Sequence, residues 1–261
     1  MKSEDQAALE AVLKDEIIRM YEEVAEHPEG EFHFFHGRDA AERFGYASEW
    51  LDDAPAGAVA SFAGVGNPHQ RSNLKPGETV LDLGSGAGLD AIVASRFVGP
   101  TGRVIGVDLN PSMCIKAQAH AAATGTTMEC HEGRMEEIPL PDATADVVIS
   151  NGVINLSFRK RKVVEEMFRV LKPGGRISIT DIVSAKQLSQ SIVNDPKLWA
   201  ACIGGALLEG EMFGLLEDAG FKRVKSAVVP GFRFRQQSTQ NSAEAYGVKA
   251  VMMTAEKPAE A

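Results

Sequence analysis

The chain has 261 residues with 44% hydrophobic and 24% charged side chains, which excludes a disordered protein and leaves room for one large domain or a domain with an appendage. A net charge of −9 and a pI near 5.2 argue against a nucleic-acid binder, which usually carries a basic face, so no nucleic-acid partner is expected. No apolar run reaches the ~20 residues that span a bilayer, MKSEDQ has no signal-peptide core, and Cys114, Cys130 and Cys202 form no CxxC pair, so the expectation is a cytoplasmic protein with no membrane span, disulfide framework or zinc site.

Residues 1–75 show no strand–helix alternation. They open with an amphipathic helix whose Leu9, Val12, Leu13, Ile17, Met20 and Tyr21 recur at three- and four-residue spacing, and Pro28 ends it. GEFHFFHGRDAAERFGY follows, dense in aromatics and histidine. His33 and His36 stand at i, i+3, one helix face if this stretch is helical, but no third ligand accompanies them and no metal is expected. VASFAGVGNPHQ is glycine-rich and reads as a loop. The segment is too poor in strands to be an independent domain and is expected to pack as a lid on residues 76–261.

Residues 76–256 alternate. The predicted strands are 79–83, 103–107, 127–131, 145–150, 176–181, 224–229 and 248–254. Helices are predicted near 90–97, from Asn110 as N-cap through Pro111 to Gly125, near 161–171 and near 210–219. The basic run Arg159–Lys162 reads as a solvated helix start, and LKPGG (171–175) as a stop and turn. Alternation of this kind builds a parallel sheet with helices on both faces. No helix is evident between the last two strands, so they are expected to pair antiparallel. Asn151-Gly152, a strong hairpin signal elsewhere, is followed here by a helix, and so belongs to a loop at the carboxyl edge of the fourth strand, where open α/β sheets bind ligands.

VLDLGSGAG (Val80–Gly88) occupies the first strand-to-helix turn. Gly84, Gly86 and Gly88 allow a tight turn and close backbone approach to a ligand. Their G-x-G-x-G spacing differs from the G-x-G-x-x-G of dinucleotide folds, which disfavours a nicotinamide-dependent oxidoreductase. Asp82 lies inside the strand, where a buried carboxylate needs a partner. Asp108 closes the second strand about 20 residues further on, where a carboxylate accepts hydrogen bonds from both hydroxyls of an adenosyl ribose; the plainer alternative is that it caps the next helix.

Over roughly residues 76–230 these motifs resemble the class I S-adenosylmethionine-dependent methyltransferases. The resemblance implies an α/β, Rossmann-like seven-stranded sheet, mostly parallel with an antiparallel last strand, and S-adenosylmethionine as cofactor. It implies that Gly84, Ser85, Gly86 and Gly88 contact the cofactor beside Asp82 and that Asp108 binds the ribose. Leu109 and Met113 would flank the adenine, Arg134 and Met135 of GRMEEIP (Gly133–Pro139) would be its neighbours, and Asn151 would line the site. GNP (Gly66–Pro68), SNGVINL (Ser150–Leu156), RVLKPGGRISITDIV (Arg169–Val183) and LWAACIGGAL (Leu198–Leu207) are similar to the arsenite methyltransferase family, in which cysteine thiolates hold arsenic(III). That family has cysteines where this chain has Val65 and Gly152 and a further pair upstream, whereas residues 1–113 contain no cysteine; Cys202 alone matches a family thiol.

The acceptor expected first is therefore a small organic molecule, placed between residues 30–70 and the loops after the fourth and fifth strands. Gly152 would leave it room, and Asn151 and Asn155 would orient it through their amides. His36 is the candidate base and Cys202 a candidate contact. Asn155 as a turn or cap residue, His36 as a packing residue and Cys202 as a small buried hydrophobe stay open. So do thiol-delivered arsenic as acceptor, a non-catalytic cofactor-binding protein as a reading of another class, and homodimer formation.

Overall fold

The structure, a computed structural model, describes residues 3–27, 30, 32 and 34–259. The N-terminal segment is helical: α1 (Ser3–Glu26), α2 (Gly37–Arg43), α3 (Ser48–Asp52), α4 (Ala56–Ala60) and α5 (His69–Ser72). Leu13, Ile17 and Met20 of α1 bury against Trp199 and Ala200. Val12 lies off this stripe, 54% exposed, so the apolar face is narrower than expected. Phe34–His36 are not helical, and His36 is extended (φ −140°, ψ 173°) just ahead of α2. The expected shared helix face of the two histidines is thus absent on the His36 side, and His33 lies outside the described residues.

The alternating region builds β1 (Thr79–Leu83), α6 (Leu89–Val98), β2 (Arg103–Asp108), α7 (Pro111–Ala123), β3 (Met128–Glu132), β4 (Ala145–Asn151), α8 (Lys160–Val170) and β5 (Leu171–Ser184). After them come α9 (Gln190–Val193), α10 (Pro196–Ala200), β6 (Leu207–Leu208), α11 (Glu209–Asp218), β7 (Lys222–Val228), α12 (Gln237–Ala245) and β8 (Lys249–Glu256). The sheet order is β3-β2-β1-β4-β5-β8-β7, with β6 beside β5. Strands β1 to β5 pair parallel, and β8 runs antiparallel to both β5 and β7.

Four details differ from the sequence reading. The sheet has eight strands, the eighth being the two-residue β6. The last two strands do pair antiparallel, but α12 lies between them; its QSTQNSAEA sequence lacks the apolar stripe that marks a helix. LKPGG is not a free turn: Leu171 already pairs with Ala145, and a register shift absorbs the irregularity before Val147 meets Arg176. In the basic run, Lys160 is buried while Arg159, Arg161 and Lys162 are exposed.

Period-two alternation sorts the core. Val80 faces α6, α7 and the apolar residues of 40–65, whereas Leu81 and Leu83 face α8 and α11. The chain leaves β1 toward β2 and β3, then returns to β4 on the other side, so the order reverses at β1. A crevice opens at such a point beyond the strand carboxyl ends. The glycine turn after β1, Asp108 at the end of β2 and Asn151 at the end of β4 all reach it. Among the described residues no helix is long and apolar enough to cross a membrane.

Candidate active site

The glycine turn is a strand end forced into left-handed backbone. Gly84, Gly86 and Gly88 have φ of +76°, +50° and +93°, a region costly for side chains bearing Cβ. The Gly84 and Ser85 amides donate to the Val107 carbonyl at 2.8 and 3.2 Å. The Gly86 amide donates to Asp108 Oδ2 at 2.8 Å, and Asp108 Oδ1 accepts the Asn110 amide at 2.9 Å. Asn110, not Asp108, caps α7, its side chain accepting the Ser112 amide at 2.9 Å. Burial pushes the Asp108 carboxyl above the ordinary range, opposed by the amides of Asn110 and Gly86.

The three glycines divide their work. A Cβ on Gly86 would stand in open space beside the cavity, whereas one on Gly88 would meet Ala117 at 3.0 Å. Gly88 therefore lets α7 approach the turn and does not line the cavity, contrary to expectation. Asp82 does not line it either. It is 2% exposed, on the α6 face of β1, where the Ala91 amide donates to it and its Oδ2 has no partner among the described residues. Burial first, then Asp90 and Asp108, drive its pKa well up.

The cavity, about 180 Å³, is lined by Gly84, Ser85, Gly86, Ala87, Leu89 and Asp90 from the turn, and by Asp108, Leu109 and Met113. Arg134 and Met135 close one side, Asn151 lines another, and Lys14, Ile17, Ile18 and Tyr21 of α1 cover it together with Phe62, Ala63 and Gly64. The expected Gly84, Ser85, Gly86, Asp108, Leu109, Met113, Arg134, Met135 and Asn151 are thus brought together.

Asn151 plays a part other than the one its sequence suggests. Its Oδ1 accepts the amides of Val65 (2.9 Å) and Gly66 (3.1 Å) and the Thr180 hydroxyl (2.6 Å). Its Nδ2 faces the Gly66 carbonyl (3.0 Å), Asp90 Oδ2 (3.1 Å) and the Tyr46 hydroxyl (3.2 Å). An amide with both ends engaged fastens the 64–66 segment to β4 and has little left for an acceptor. Asp90 is the second hub: its Oδ1 accepts from the Tyr46 hydroxyl and meets His69 Nε2 at 2.9 Å. Burial drives the Tyr46 phenol pKa well up, so it stays a donor.

Asn155, 0% exposed, sits in a 3-10 turn (Ile154–Leu156) behind the cavity. Its amide nitrogen donates to Asp181 Oδ2 at 3.2 Å and its Nδ2 to the Ile182 carbonyl at 2.5 Å. It holds β4 to β5 rather than orienting a ligand. His36 does not line this cavity; its ring stands edge-on to Phe32, centroids 4.9 Å apart.

A second, small cavity adjoins the first. Phe34, Phe35, Phe44, Phe232 and Phe234 line it with Val65, Ile182, Arg233 and Cys202. Tyr21, Ala63 and Gly64 line both cavities. The Cys202 thiol donates to the Gly152 carbonyl at 2.9 Å and lies 3.9 Å from the Tyr21 hydroxyl. Burial pushes that thiol up, so it is protonated at neutral pH. The expected space at Gly152 is filled: a Cβ there would meet the Val65 methyls at 3.2 and 3.4 Å. No group of three or more metal-ligating side chains occurs among the described residues.

Sequence reasoning missed Asp90, His69 and the double role of Tyr21. Asp90 carried a signal, an acid at the start of a helix that is otherwise nearly all apolar. His69 carried none, because its partner is 21 residues away.

The cavity suits an adenosyl cofactor on this structure's own evidence: an open cradle at Gly86, a carboxylate at the second strand's end not used as a helix cap, and apolar Leu109 and Met113 beside it. Comparison with known proteins agrees. Residues 74–220 match the family described as a methyltransferase domain. An arsenite methyltransferase of Halobacterium salinarum is 39% identical over 188 residues, 72% of this chain and 48% of that protein. A ubiquinone/menaquinone biosynthesis C-methyltransferase of Salmonella arizonae is 40% identical over 113 residues, 42% of this chain and 45% of its own length. The chain thus spans about half the length of the curated relatives it matches. The crystal structure of an arsenic(III) S-adenosylmethionine methyltransferase from Chlamydomonas reinhardtii superposes with a TM-score of 0.68 at 31% identity, covering 81% of this chain and 72% of that one. The chain belongs to the class I S-adenosylmethionine-dependent methyltransferase family, close to its arsenite methyltransferases.

Proposed function

We propose that the chain transfers a methyl group from S-adenosylmethionine to a small, largely apolar organic acceptor. The observation that carries this reading is the pair of adjoining cavities with Tyr21, Ala63 and Gly64 common to both. Bound in the larger one, the cofactor supplies an electrophilic methyl on a sulfonium. The chain's residues then have to align an acceptor and exclude water, because an activated donor leaves orientation and desolvation as the main tasks.

Asp108 and the Gly86 amide would hold the adenosyl half, with Leu109 and Met113 beside the base. Ile17, Ile18 and Tyr21 of α1 cover the cavity and keep water out, which gives residues 1–75 the role of a lid. The acceptor would sit against Phe34, Phe44, Phe232 and Phe234, which would have to move apart to admit it, because the second cavity holds only about 10 Å³, the space of one water. The Tyr21 hydroxyl, kept protonated by burial, and the protonated Cys202 thiol are the polar groups near it. Among the described residues neither a thiolate nor an imidazole lines this chamber.

The aromatic wall and the similarity to a quinone-pathway C-methyltransferase favour an acceptor carrying an apolar ring. The arsenite reading is weaker. Val65 and Gly152 pack together where the resemblance places that family's thiols, and among the described residues Cys202 is the one sulfur in the chamber.

The test is transfer of labelled methyl, with S-adenosylhomocysteine release measured in parallel, against a panel of ring-bearing organic acceptors and against glutathione-bound arsenite. Label in an organic product supports the proposal. Label in methylarsenicals alone, or no turnover with any acceptor while the cofactor still binds, overturns it.

A further inference from the structure

Cys114 and Cys130 take no part in the chemistry above, yet they meet. Cys114 lies in the first turn of α7, directly after Met113, which lines the cofactor cavity. Cys130 lies in the middle of β3, paired in register with Gly106 of β2. Their sulfurs are 2.7 Å apart, with the Cys130 thiol donating to Cys114. Cys130 Sγ is also 3.5 Å from the hydroxyl of Ser85, a residue of the glycine turn. The pair therefore bridges α7 and β3 directly behind two residues that line the cavity, Met113 and Ser85. Cys114 is 5% exposed, whereas Cys130 is half-buried and gives the pair a route to solvent.

We propose that Cys114 and Cys130 are a redox-responsive dithiol that closes to a disulfide under peroxide and, by closing, loosens the cavity's hold on its cofactor.

The chemistry balances with hydrogen peroxide as oxidant. The Cys114 thiolate attacks one peroxide oxygen, the O–O bond breaks, and the departing hydroxide takes up the proton Cys114 released, giving water and a sulfenic acid. The Cys130 thiol attacks the sulfenic sulfur, the S–O bond breaks, and the hydroxyl leaves with the Cys130 proton as a second water. Two electrons pass from the two sulfurs to the peroxide. Cys114 is the better attacker, since the hydrogen bond from Cys130 holds its thiol below the ordinary range and the thiolate is the reactive form.

Bond formation draws the sulfurs to the ~2.05 Å of a disulfide. That pulls the first turn of α7, and Met113 with it, toward β3. It also withdraws Cys130 from the Ser85 hydroxyl. Both movements alter the wall on which the adenosyl half rests. Closure of the bond stands independently of the cofactor assignment; its consequence for affinity rests on that assignment, and the experiment separates them.

The full chain is treated with hydrogen peroxide, then alkylated, digested and mass-analysed; S-adenosylhomocysteine affinity is measured by calorimetry before and after. The proposal expects a linked peptide pair joining residues 114 and 130 that has lost the mass of two hydrogens. It also expects affinity several-fold weaker after oxidation, restored by dithiothreitol. In Cys130→Ser the cross-link and the loss of affinity on oxidation should both vanish, judged against that variant's own untreated affinity. No 114–130 linkage overturns the proposal. Linkage with unchanged affinity refutes the control of binding, and an equal loss of affinity in Cys130→Ser assigns the effect to another residue. If untreated protein fails to bind the nucleoside at all, the cofactor assignment falls, and the cross-link still judges the dithiol.

Discussion

The carboxamide of Asn151 accepts the backbone amide of Val65 at 2.9 Å, and so joins the end of the fourth strand to a segment 86 residues earlier in the chain. Around this contact Gly66, Thr180, Tyr46 and Asp90 complete a buried polar cluster. A cluster so fully paired is costly to break, because each stranded partner keeps its desolvation penalty.

Replacing Asn151 by alanine should therefore destabilise the chain by about 2–4 kcal/mol, the loss of several buried hydrogen bonds. Urea unfolding measures it. A change below about 0.5 kcal/mol, the size expected of an ordinary surface substitution, would show that the amide does not fasten the lid segment.

Gly86 and Gly88 should respond differently to alanine. Gly88→Ala drives a methyl against Ala117 at strained φ and should cost about 2–3 kcal/mol of stability. Gly86→Ala has room within the protein, so its unfolding midpoint should move less while S-adenosylhomocysteine affinity falls. Equal stability losses with unchanged affinity would contradict the division of labour between the two glycines.

Much of this site was legible in the sequence, for reasons that are local. The glycine turn, the strand-ending Asp108 and the Asn110-Pro111 helix start are each written in consecutive residues, and they lie where expected. What escaped depends on contacts distant along the chain. Asn151 looked like a ligand for a substrate because its partners, Val65 and Gly66, are invisible from its own neighbourhood. Asp82 and Gly88 belong to the motif but face α6 and α7, which the motif alone does not reveal. Helix α12 was missed because it is short and polar and carries no stripe. His36 suggested a base by residue type, whereas its backbone is extended and its ring packs on Phe32.

Asp181 gives the chain a defined pH response. Burial raises its carboxyl from an ordinary 3.8 to about 6, opposed by the amides of Ile182 and Asn155 and by Lys160. Between those two values the folded chain holds a proton that the unfolded chain has released. This group's contribution to stability therefore falls as pH rises through that window, by roughly 3 kcal/mol in all. Asp181→Asn should flatten the wild-type slope there in a series of denaturant titrations from acid to neutral pH. An identical slope in the variant would place the titration elsewhere.

Cysteines can be placed at the two positions where the resembled family carries them. In a Val65→Cys/Gly152→Cys double variant, two new sulfurs would stand beside Cys202, since Val65 lies within 3.4 Å of a Cβ at position 152 and Cys202 bonds the Gly152 carbonyl. Soft ligands gathered this way suit arsenic(III). The variant should bind arsenite, followed by calorimetry, much more tightly than the parent, at a stability cost of about 1–3 kcal/mol for a non-glycine residue at φ +83°. Parent protein that already binds arsenite as tightly as the variant would contradict the organic-acceptor reading.

The central claim is that Asp108, held by the Gly86 amide, grips the adenosyl half of S-adenosylmethionine. Calorimetric titration of S-adenosylhomocysteine into the parent and into Asp108→Ala tests it most directly. Loss of a charge-assisted hydrogen bond is worth roughly 1.5–3 kcal/mol, so affinity should fall by about tenfold or more while the unfolding transition stays cooperative. Equal affinity in a folded Asp108→Ala protein would contradict the account.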